Sequence, residues 1–280
     1  MKHAQLILGM IYLSFMAPLQ SSDGEMEKFN NYINQSISDA NIAGMAVAIV
    51  SGDSIIFTQG YGYSDIQTKE PFTPNTVINI ASISKTFVGV ALMNLVENGL
   101  ISLDEDVNTF LPFKVQNPYL PESIITPRHL MSHSSGIQDN QKVYLPSYHY
   151  GGDSPIPLGE FLADYLSQDG THYSKKNFTK SKPGGKFVYS NIGAGLAGYI
   201  VERVSGKPLN VFTRDVIFKP LRMNNTCWFL SEMDHSKHTR LYESEKRHTQ
   251  LERLDLYGLT TYPDGGVRTT VTDLSYYLLC

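Results

Sequence analysis

The hydrophobic pattern changes its period early in the sequence, and this change restricts the fold more than any other feature. Residues 25–40 carry apolar side chains three or four positions apart, which predicts an amphipathic helix. Residues 45–58 form two apolar runs around Gly52-Asp53, which predicts a β hairpin. From Ser82 the helical spacing returns, and Gly99 lies where that helix should end. A helix, a hairpin and then further helices are typical of a mixed α/β domain.

Most of the remaining chain is predicted to be helical. Thr126 and Pro127 open a short helix that ends near Gly136, and further helical patterns cover 158–166, 192–204, 209–218 and 274–279. Apart from its helical part, the segment 138–186 is polar and rich in Gly, Tyr and Lys. Long segments of this kind are usually functional or inserted loops.

Residues 1–22 have the features of a secretory signal peptide. Lys2 and His3 precede an apolar run from Ala4 to Ala17, and small and polar residues follow it. A membrane-spanning helix needs roughly 18 or more apolar residues, so this run is marginal as a permanent anchor. We therefore expect a mature domain, 23–280, that is secreted or periplasmic and has no membrane span. An uncleaved anchor is the alternative.

The composition excludes several classes of protein. The formal net charge is −4, whereas proteins that bind nucleic acids or anionic membranes concentrate Lys and Arg. The two cysteines, Cys227 and Cys280, are too few for a disulfide framework or a cysteine-based zinc site. We expect a globular domain without a nucleic-acid partner, and its oligomeric state stays open.

Two short motifs are able to carry chemistry. Ser82-Ile83-Ser84-Lys85 is an S-x-x-K tetrad, which at the start of a helix would place the amine one turn from the serine hydroxyl. Tyr189-Ser190-Asn191 is a Y-x-N triplet, which would add a phenol and an amide. Roughly one copy of each motif is expected by chance, so neither is specific alone. The structural alternative for the tetrad is a capped surface helix with an exposed lysine.

Other patterns favour structural roles. His129 and His133 have a spacing that two zinc ligands can have, but no third ligand is identifiable. We expect both histidines to belong to a helix and a turn, and we predict neither a metal nor another cofactor. His149-Tyr150-Gly151 matches an H-x-G motif but is interpreted as loop. The G-x-S-x-G elbow of α/β-hydrolases does not occur.

Four longer phrases contain the two motifs and follow one another along the chain: INIASISKTFVGVALMNLVENGLISLDEDV, ITPRHLMSHSSGI, PGGKFVYSNIGAGLAGYIVERVSGKPL and DGGVRTTVTDL. Together they resemble the serine β-lactamase-related hydrolases, which include class C β-lactamases, D-alanyl-D-alanine carboxypeptidases, D-aminopeptidases and small esterases. The resemblance extends from about Glu25 to Cys280. It implies an α/β (α+β) fold of the β-lactamase/transpeptidase type, with an antiparallel sheet flanked by helices. Residues 25–63 would belong to the sheet domain and 87–263 to an inserted helical region.

The resemblance also implies roles for four residues. Ser82 would be acylated, and Lys85 would help to deprotonate it. Tyr189 would pass a proton to the leaving group, while Asn191 would contact the substrate. Which of Lys85 and Tyr189 is the main base stays open. The implied reaction cleaves an amide, a lactam or an ester through an acyl-enzyme, with a β-lactam, a D-amino-acid peptide or a small ester as substrate.

The chain departs from the family in two respects. The family has a third motif, K-[ST]-G or H-x-G, on a later strand, and neither occurs between Tyr189 and Cys280. The separation of Ser82 and Tyr189, 107 residues, is longer than expected, with the surplus in 138–186. Since the chain also ends within the helical pattern that Thr270 opens, we expect an incomplete domain that lacks its C-terminal strands and is poorly soluble alone. The alternative function is a catalytically inactive homologue that binds peptides or cell-wall fragments.

Overall fold

The structure is a computed structural model that describes residues 23–244 and 251–280, so the predicted signal peptide lies outside the described residues. The helices are α1 Asp23–Asp39, α2 Ser84–Glu97, α3 Pro127–Met131, α4 Gln141–Tyr144, α5 Leu158–Leu166, α6 Asn191–Ser205, α7 Leu209–Thr213 and α8 Val271–Leu278. The strands are β1 Gly44–Ser51, β2 Ser54–Asp65, β3 Glu70–Pro71, β4 Ile78–Asn79, β5 Tyr148–Tyr150, β6 Leu241–Glu243, β7 Glu252–Leu254, β8 Tyr257–Leu259 and β9 Arg268–Thr269.

The predicted helix and hairpin form the sheet layer. Strands β1 and β2 pair antiparallel, and Gly52 supplies the positive φ of +53° that the tight turn between them requires. Helix α1 lies against β2, with Phe29 and Phe57 in edge-to-face contact at 5.6 Å. Helix α8 packs against β1. In the described residues β1 has β2 as its only strand neighbour.

The core lies where α2 crosses α6. Both helices are apolar on most of their surface, and their contact is the largest between helices. A helix that is apolar all round has to be buried among other elements. The apolar side chains that α2 and α6 contribute to the core are completely or almost completely buried: Phe87, Leu92, Leu95, Ile192, Leu196 and Ile200.

The segment 138–186 differs from its prediction as a loose loop. It contains the short elements α4 and β5 besides the predicted α5, and Tyr165 and Asn177 are fully buried. The Asn177 amide donates to the main-chain oxygens of Tyr165 at 2.9 Å and His172 at 2.8 Å. Polar side chains thus hold in place a backbone segment whose sequence has no regular hydrophobic period. Hydrophobic periodicity therefore does not predict its structure.

Short elements account for the other differences. His149-Tyr150-Gly151, interpreted as loop, largely belongs to strand β5, which pairs with β8. The β5–β8 and β6–β7 ribbons lie within the region expected to be helical, because three-residue strands are too short to show a period. Helix α3 ends at Met131 rather than near Gly136, since His133 already has a φ of +52°. None of the described helices is long and apolar enough to cross a membrane.

A close approach between α6 and the one-turn 3₁₀ helix Tyr262–Asp264 depends on a glycine. A Cβ atom on Gly198 would lie 2.6 Å from Cβ and Cγ of Pro263, whereas one on Gly195 would meet nothing closer than 3.7 Å. The first distance requires the backbone to move, and the second is ordinary van der Waals contact.

We predict opposite effects for the same substitution at these two positions. Gly198→Ala should lower the free energy of unfolding by roughly 1–3 kcal/mol through overpacking. Gly195→Ala should leave it unchanged or raise it by up to about 1 kcal/mol, because alanine is the better helix former. Urea unfolding of both variants measures the difference. Equal stability of the two variants would show that Pro263 does not limit the approach.

Candidate functional site

Ser82 lies at the amino-terminal end of α2, in a one-turn 3₁₀ helix, Ala81–Ile83. The residue before it, Ala81, has a φ of +45°, which is unfavourable for a residue with a Cβ atom. Ser82 is exposed, whereas Lys85, one turn further along α2, is 8% exposed. The hydroxyl therefore faces solvent and the amine lies behind it.

The Lys85 amine donates to three acceptors from three segments. Nζ lies 3.1 Å from Ser82 Oγ, 2.8 Å from Asn191 Oδ1 and 2.6 Å from the main-chain oxygen of Asp264. It also lies 4.9 Å from the centre of the Tyr189 ring. A buried amine needs such partners, because leaving its N–H groups without acceptors costs several kcal/mol, on the order of 2–7 for a polar group.

Tyr189 also contacts Ser82. Its hydroxyl donates to Ser82 Oγ at 2.7 Å. The phenol ring packs on His133, with ring centres 4.4 Å apart, and His133 Nδ1 accepts from the main-chain N–H of Ser190 at 3.2 Å. Burial, together with the nearby Lys85 charge, lowers the pKa of the His133 imidazole, which favours the neutral ring that can accept this bond.

Asp139 holds the Y-x-N triplet in place, and the sequence analysis missed it. Its carboxyl oxygens accept from the main-chain N–H groups of Asn191 and Ile192, from the Ser190 hydroxyl and from the Asn191 side-chain amide, at 2.8–3.2 Å. These groups lie at the N-terminus of α6, where a negative charge is favourable. The same aspartate therefore caps the helix and fixes the orientation of the Asn191 amide.

The Asn191 amide is engaged on both sides. Its Oδ1 accepts from Lys85, and its Nδ2 donates to Asp139 at 2.8 Å. The sequence assigned Asn191 to substrate contact, whereas in this structure its amide links the amine to the helix terminus. One amide hydrogen is still free of these two contacts, so substrate contact stays a prediction.

Asp264 was also missed as a site residue. It ends the 3₁₀ helix Tyr262–Asp264 and is 2% exposed. Its main-chain oxygen holds Lys85, while its carboxyl accepts from the Thr261 hydroxyl at 2.6 Å and from the Tyr144 hydroxyl at 3.4 Å. Burial raises the pKa of the Asp264 carboxyl to about 7, although the Thr261 hydroxyl and the Lys85 charge act in the opposite direction.

The histidine pair has the structural role that the sequence predicted. His129 completes a capping box at α3, since its Nδ1 accepts from the Thr126 N–H and its own N–H donates to the Thr126 hydroxyl, both at 3.3 Å. His133 instead packs on Tyr189. Within residues 23–244 and 251–280, no group of three or more His, Cys, Asp or Glu side chains is arranged to hold a metal ion.

The four residues proposed from the sequence thus form one hydrogen-bonded cluster around Ser82 Oγ, in an α/β fold with a hairpin sheet and an apolar helix behind the serine. The fold is of the β-lactamase/transpeptidase type, and the sequence profile of the beta-lactamase family matches residues 29–279. The chain belongs to that family.

Its relatives are proteins of greater length. Protein flp of Staphylococcus aureus strain MRSA252 is 26% identical over 260 residues, which are 92% of this chain and 49% of that protein. Penicillin-binding protein 4* of Bacillus subtilis strain 168 is 29% identical over 181 residues, 64% of this chain and 37% of that protein. The octameric penicillin-binding protein homologue from Pyrococcus abyssi has 30% identity and a TM-score of 0.77, covering 91% of this chain and 56% of that one. The chain spans about half the length of the curated relative flp.

We predict that Asp139→Asn slows the reaction of Ser82 with a probe by more than the loss in the free energy of unfolding explains. The asparagine turns an N–H donor towards groups that already donate, so the Asn191 amide should lose its fixed orientation. We expect a loss of roughly 1–3 kcal/mol in the free energy of unfolding. The rate at which Ser82 reacts with an acylating probe should fall roughly tenfold to a hundredfold.

Asp106→Asn is the matched control, because Asp106 also caps a helix, accepting from the Asn108 N–H at 3.0 Å. It should cost about 0.5–2 kcal/mol of stability and leave the reaction of Ser82 unchanged. An Asp139→Asn protein that reacts at the wild-type rate would contradict the assigned role.

Proposed function

We propose that this protein is a serine acyl hydrolase that forms an acyl-enzyme on Ser82 and cleaves an amide, a lactam or an ester. The observation that carries the proposal is the position of Ser82 Oγ, 3.1 Å from Lys85 Nζ and 2.7 Å from the Tyr189 hydroxyl. A serine hydroxyl becomes a strong nucleophile only when a base takes its proton. Two groups able to do so lie within hydrogen-bond distance here.

The reaction begins when Ser82 Oγ attacks the carbonyl carbon of the substrate and its proton passes to Lys85 or Tyr189. The N-terminus of α2 lies beside the developing oxyanion and provides a favourable field for negative charge. Collapse of the tetrahedral intermediate breaks the bond to the leaving nitrogen or oxygen, which takes up a proton from the phenol of Tyr189. Tyr189 is 44% exposed, so it can reach a leaving group that enters from solvent.

Hydrolysis of the acyl-enzyme then restores the serine. Water attacks the acyl carbon and gives a proton to the same acid–base pair. The ester bond to Ser82 Oγ then breaks, and Oγ takes a proton back from that pair. The acyl donors we propose are a β-lactam, a D-amino-acid peptide or a small ester. Two of the similar proteins bear the name penicillin-binding protein or are described as its homologue, which supports a β-lactam or D-amino-acid peptide.

Covalent labelling tests the proposal. A fluorophosphonate and a fluorescent penicillin should each be tried, and at least one should modify Ser82, as located by peptide mass spectrometry. Ser82→Ala should abolish this labelling, whereas Ser38→Ala, at an exposed position of α1, should not. Tyr189→Phe removes only the hydroxyl and should slow labelling roughly 10²–10⁴-fold, the usual contribution of a positioned acid–base group.

Folded wild-type protein that neither probe modifies would overturn the hydrolase proposal. In that case, binding of a cell-wall peptide fragment in the absence of turnover would favour the inactive homologue. Melting temperatures of the wild type and of Ser82→Ala establish that the compared proteins are folded.

We also propose that the protein is exported, because residues 1–22 have the pattern of a signal peptide. Expression of the full chain in a secreting host should release a form whose N-terminus, determined by sequencing, lies near Asp23. A chain that stays in the cytoplasm with Met1 intact would contradict export.

A further inference from the structure

Asp264 meets Lys85 in two different ways. Its main-chain oxygen accepts from the amine at 2.6 Å, which fixes where Nζ lies. Its side chain turns to the Thr261 hydroxyl at 2.6 Å and the Tyr144 hydroxyl at 3.4 Å. None of the ion pairs among the described residues involves Lys85, so no carboxylate lies within 4.0 Å of the amine there. Any charge on Asp264 therefore acts on Lys85 through space.

Two aspartates are linked to the amine, Asp264 directly and Asp139 through Asn191, and the surroundings of their carboxyl groups differ. Asp139 accepts hydrogen bonds from four donor groups at the N-terminus of α6. Asp264 is almost fully buried and, among the described residues, its carboxyl accepts from two hydroxyl groups, one of them at 3.4 Å. Burial of a carboxyl with few donors disfavours its charged form. Asp264 is accordingly the carboxyl whose charge can change near neutral pH, with a pKa of about 7.

The other titratable groups around the pair do not take over this role. Asp264 faces three phenols, and burial raises the pKa of each of them, so they stay neutral near pH 7: Tyr144 of α4, Tyr148 of β5 and Tyr257 of β8. On the other side of Lys85, burial lowers the pKa of His133, which keeps its ring neutral. Lys85 itself faces Ser82, Tyr189 and Asn191 besides Asp264.

We propose that Asp264 is a positioning residue of the acyl-transfer site, which holds Lys85 through its main-chain oxygen and controls through its carboxyl group how firmly the amine keeps its proton. This inference rests on the proposed function of Ser82. An ionised Asp264 stabilises the charged amine, whereas a neutral Asp264 allows the amine to release its proton and accept that of Ser82. The carboxyl is neutral on the acidic side of about pH 7 and charged on the basic side, where the amine has to give up its proton to act as a base.

Asp264→Asn isolates the carboxyl charge, because the main-chain oxygen that holds Lys85 is kept. The rate of fluorophosphonate labelling of Ser82 is measured from about pH 5 to about pH 10. We expect the midpoint of the rising limb to move to lower pH by on the order of one unit, which makes labelling about tenfold faster below the midpoint. Thr261→Val removes a donor to the Asp264 carboxylate, and it should move the midpoint in the same direction by less.

Glu202→Gln is the matched control. Glu202 accepts from the Tyr262 hydroxyl at 2.6 Å, so it is a partly buried acid bonded to the same 3₁₀ helix, but it does not contact Lys85. The pH profile of labelling of the Glu202→Gln variant should have the same midpoint as that of the wild type. A purely structural role for Asp264 would instead lower the rate at every pH and leave the midpoint in place, and this result would overturn the proposal.

A second measurement does not depend on activity. In Ser82→Ala protein with ¹³C-labelled lysines, the Lys85 signal is assigned by its loss in Lys85→Arg and then titrated with and without Asp264→Asn. The Lys85 midpoint should fall when the carboxyl is removed, and an unchanged midpoint would refute the inference. Failure of wild-type labelling would refute the proposed function alone, since this titration would still report on the pair. If Asp264→Asn does not fold, Thr261→Val serves in both measurements.

Discussion

The site depends on one buried amine that needs three acceptors. Lys85 comes from α2, and its acceptors come from the start of α2, the start of α6 and the 3₁₀ helix before β9. A buried N–H donor without an acceptor is costly, so these three segments can approach only in the arrangement that satisfies the amine. The apolar contact of α2 with α6 supplies the burial, and the amine fixes the register of the contact. Ser82 then receives its position as a consequence of how Lys85 is held.

Small residues and hydroxyls make this arrangement possible. Gly198 allows Pro263 to lie directly on α6, which brings the Asp264 oxygen to the amine. At the other end of the segment that runs from Pro263 to Val267, the buried Ser84 hydroxyl accepts from the Val267 N–H at 3.0 Å. The loop is therefore fixed at both ends relative to α2. A position that looks like an ordinary turn, Asp-Gly-Gly, is thereby part of the framework of the site.

The sequence predicts the parts of this molecule that have a period or a motif. The helix α1, the hairpin, α2 and α5 follow from apolar spacing, and their boundaries agree with the structure within a few residues. The beta-lactamase fold followed from four ordered phrases, and the family match confirms it. The catalytic roles of Ser82, Lys85 and Tyr189 stay predictions, although the structure brings the three side chains together.

Asp139 and Asp264 were missed for a physical reason. Their partners lie 52 and 179 residues away in sequence, and each aspartate stands in a polar or glycine-rich stretch where solvent exposure is the usual expectation. Sequence spacing carries no information about such contacts unless both partners belong to one motif. A weaker signal was available for Asp264, because it stands directly before two glycines in a phrase that carries the resemblance to the family.

The two aspartates divide the electrostatics of the site between them. Asp139 accepts from donors at the N-terminus of α6, and these hydrogen bonds orient Asn191. Asp264 has few donors and is buried, so its environment disfavours charge. The Asp139 carboxyl therefore fixes geometry through Asn191, while the Asp264 carboxyl is the one proposed above to affect the proton affinity of Lys85. The scarcity of donors around Asp264 is thus the feature that separates its environment from that of Asp139.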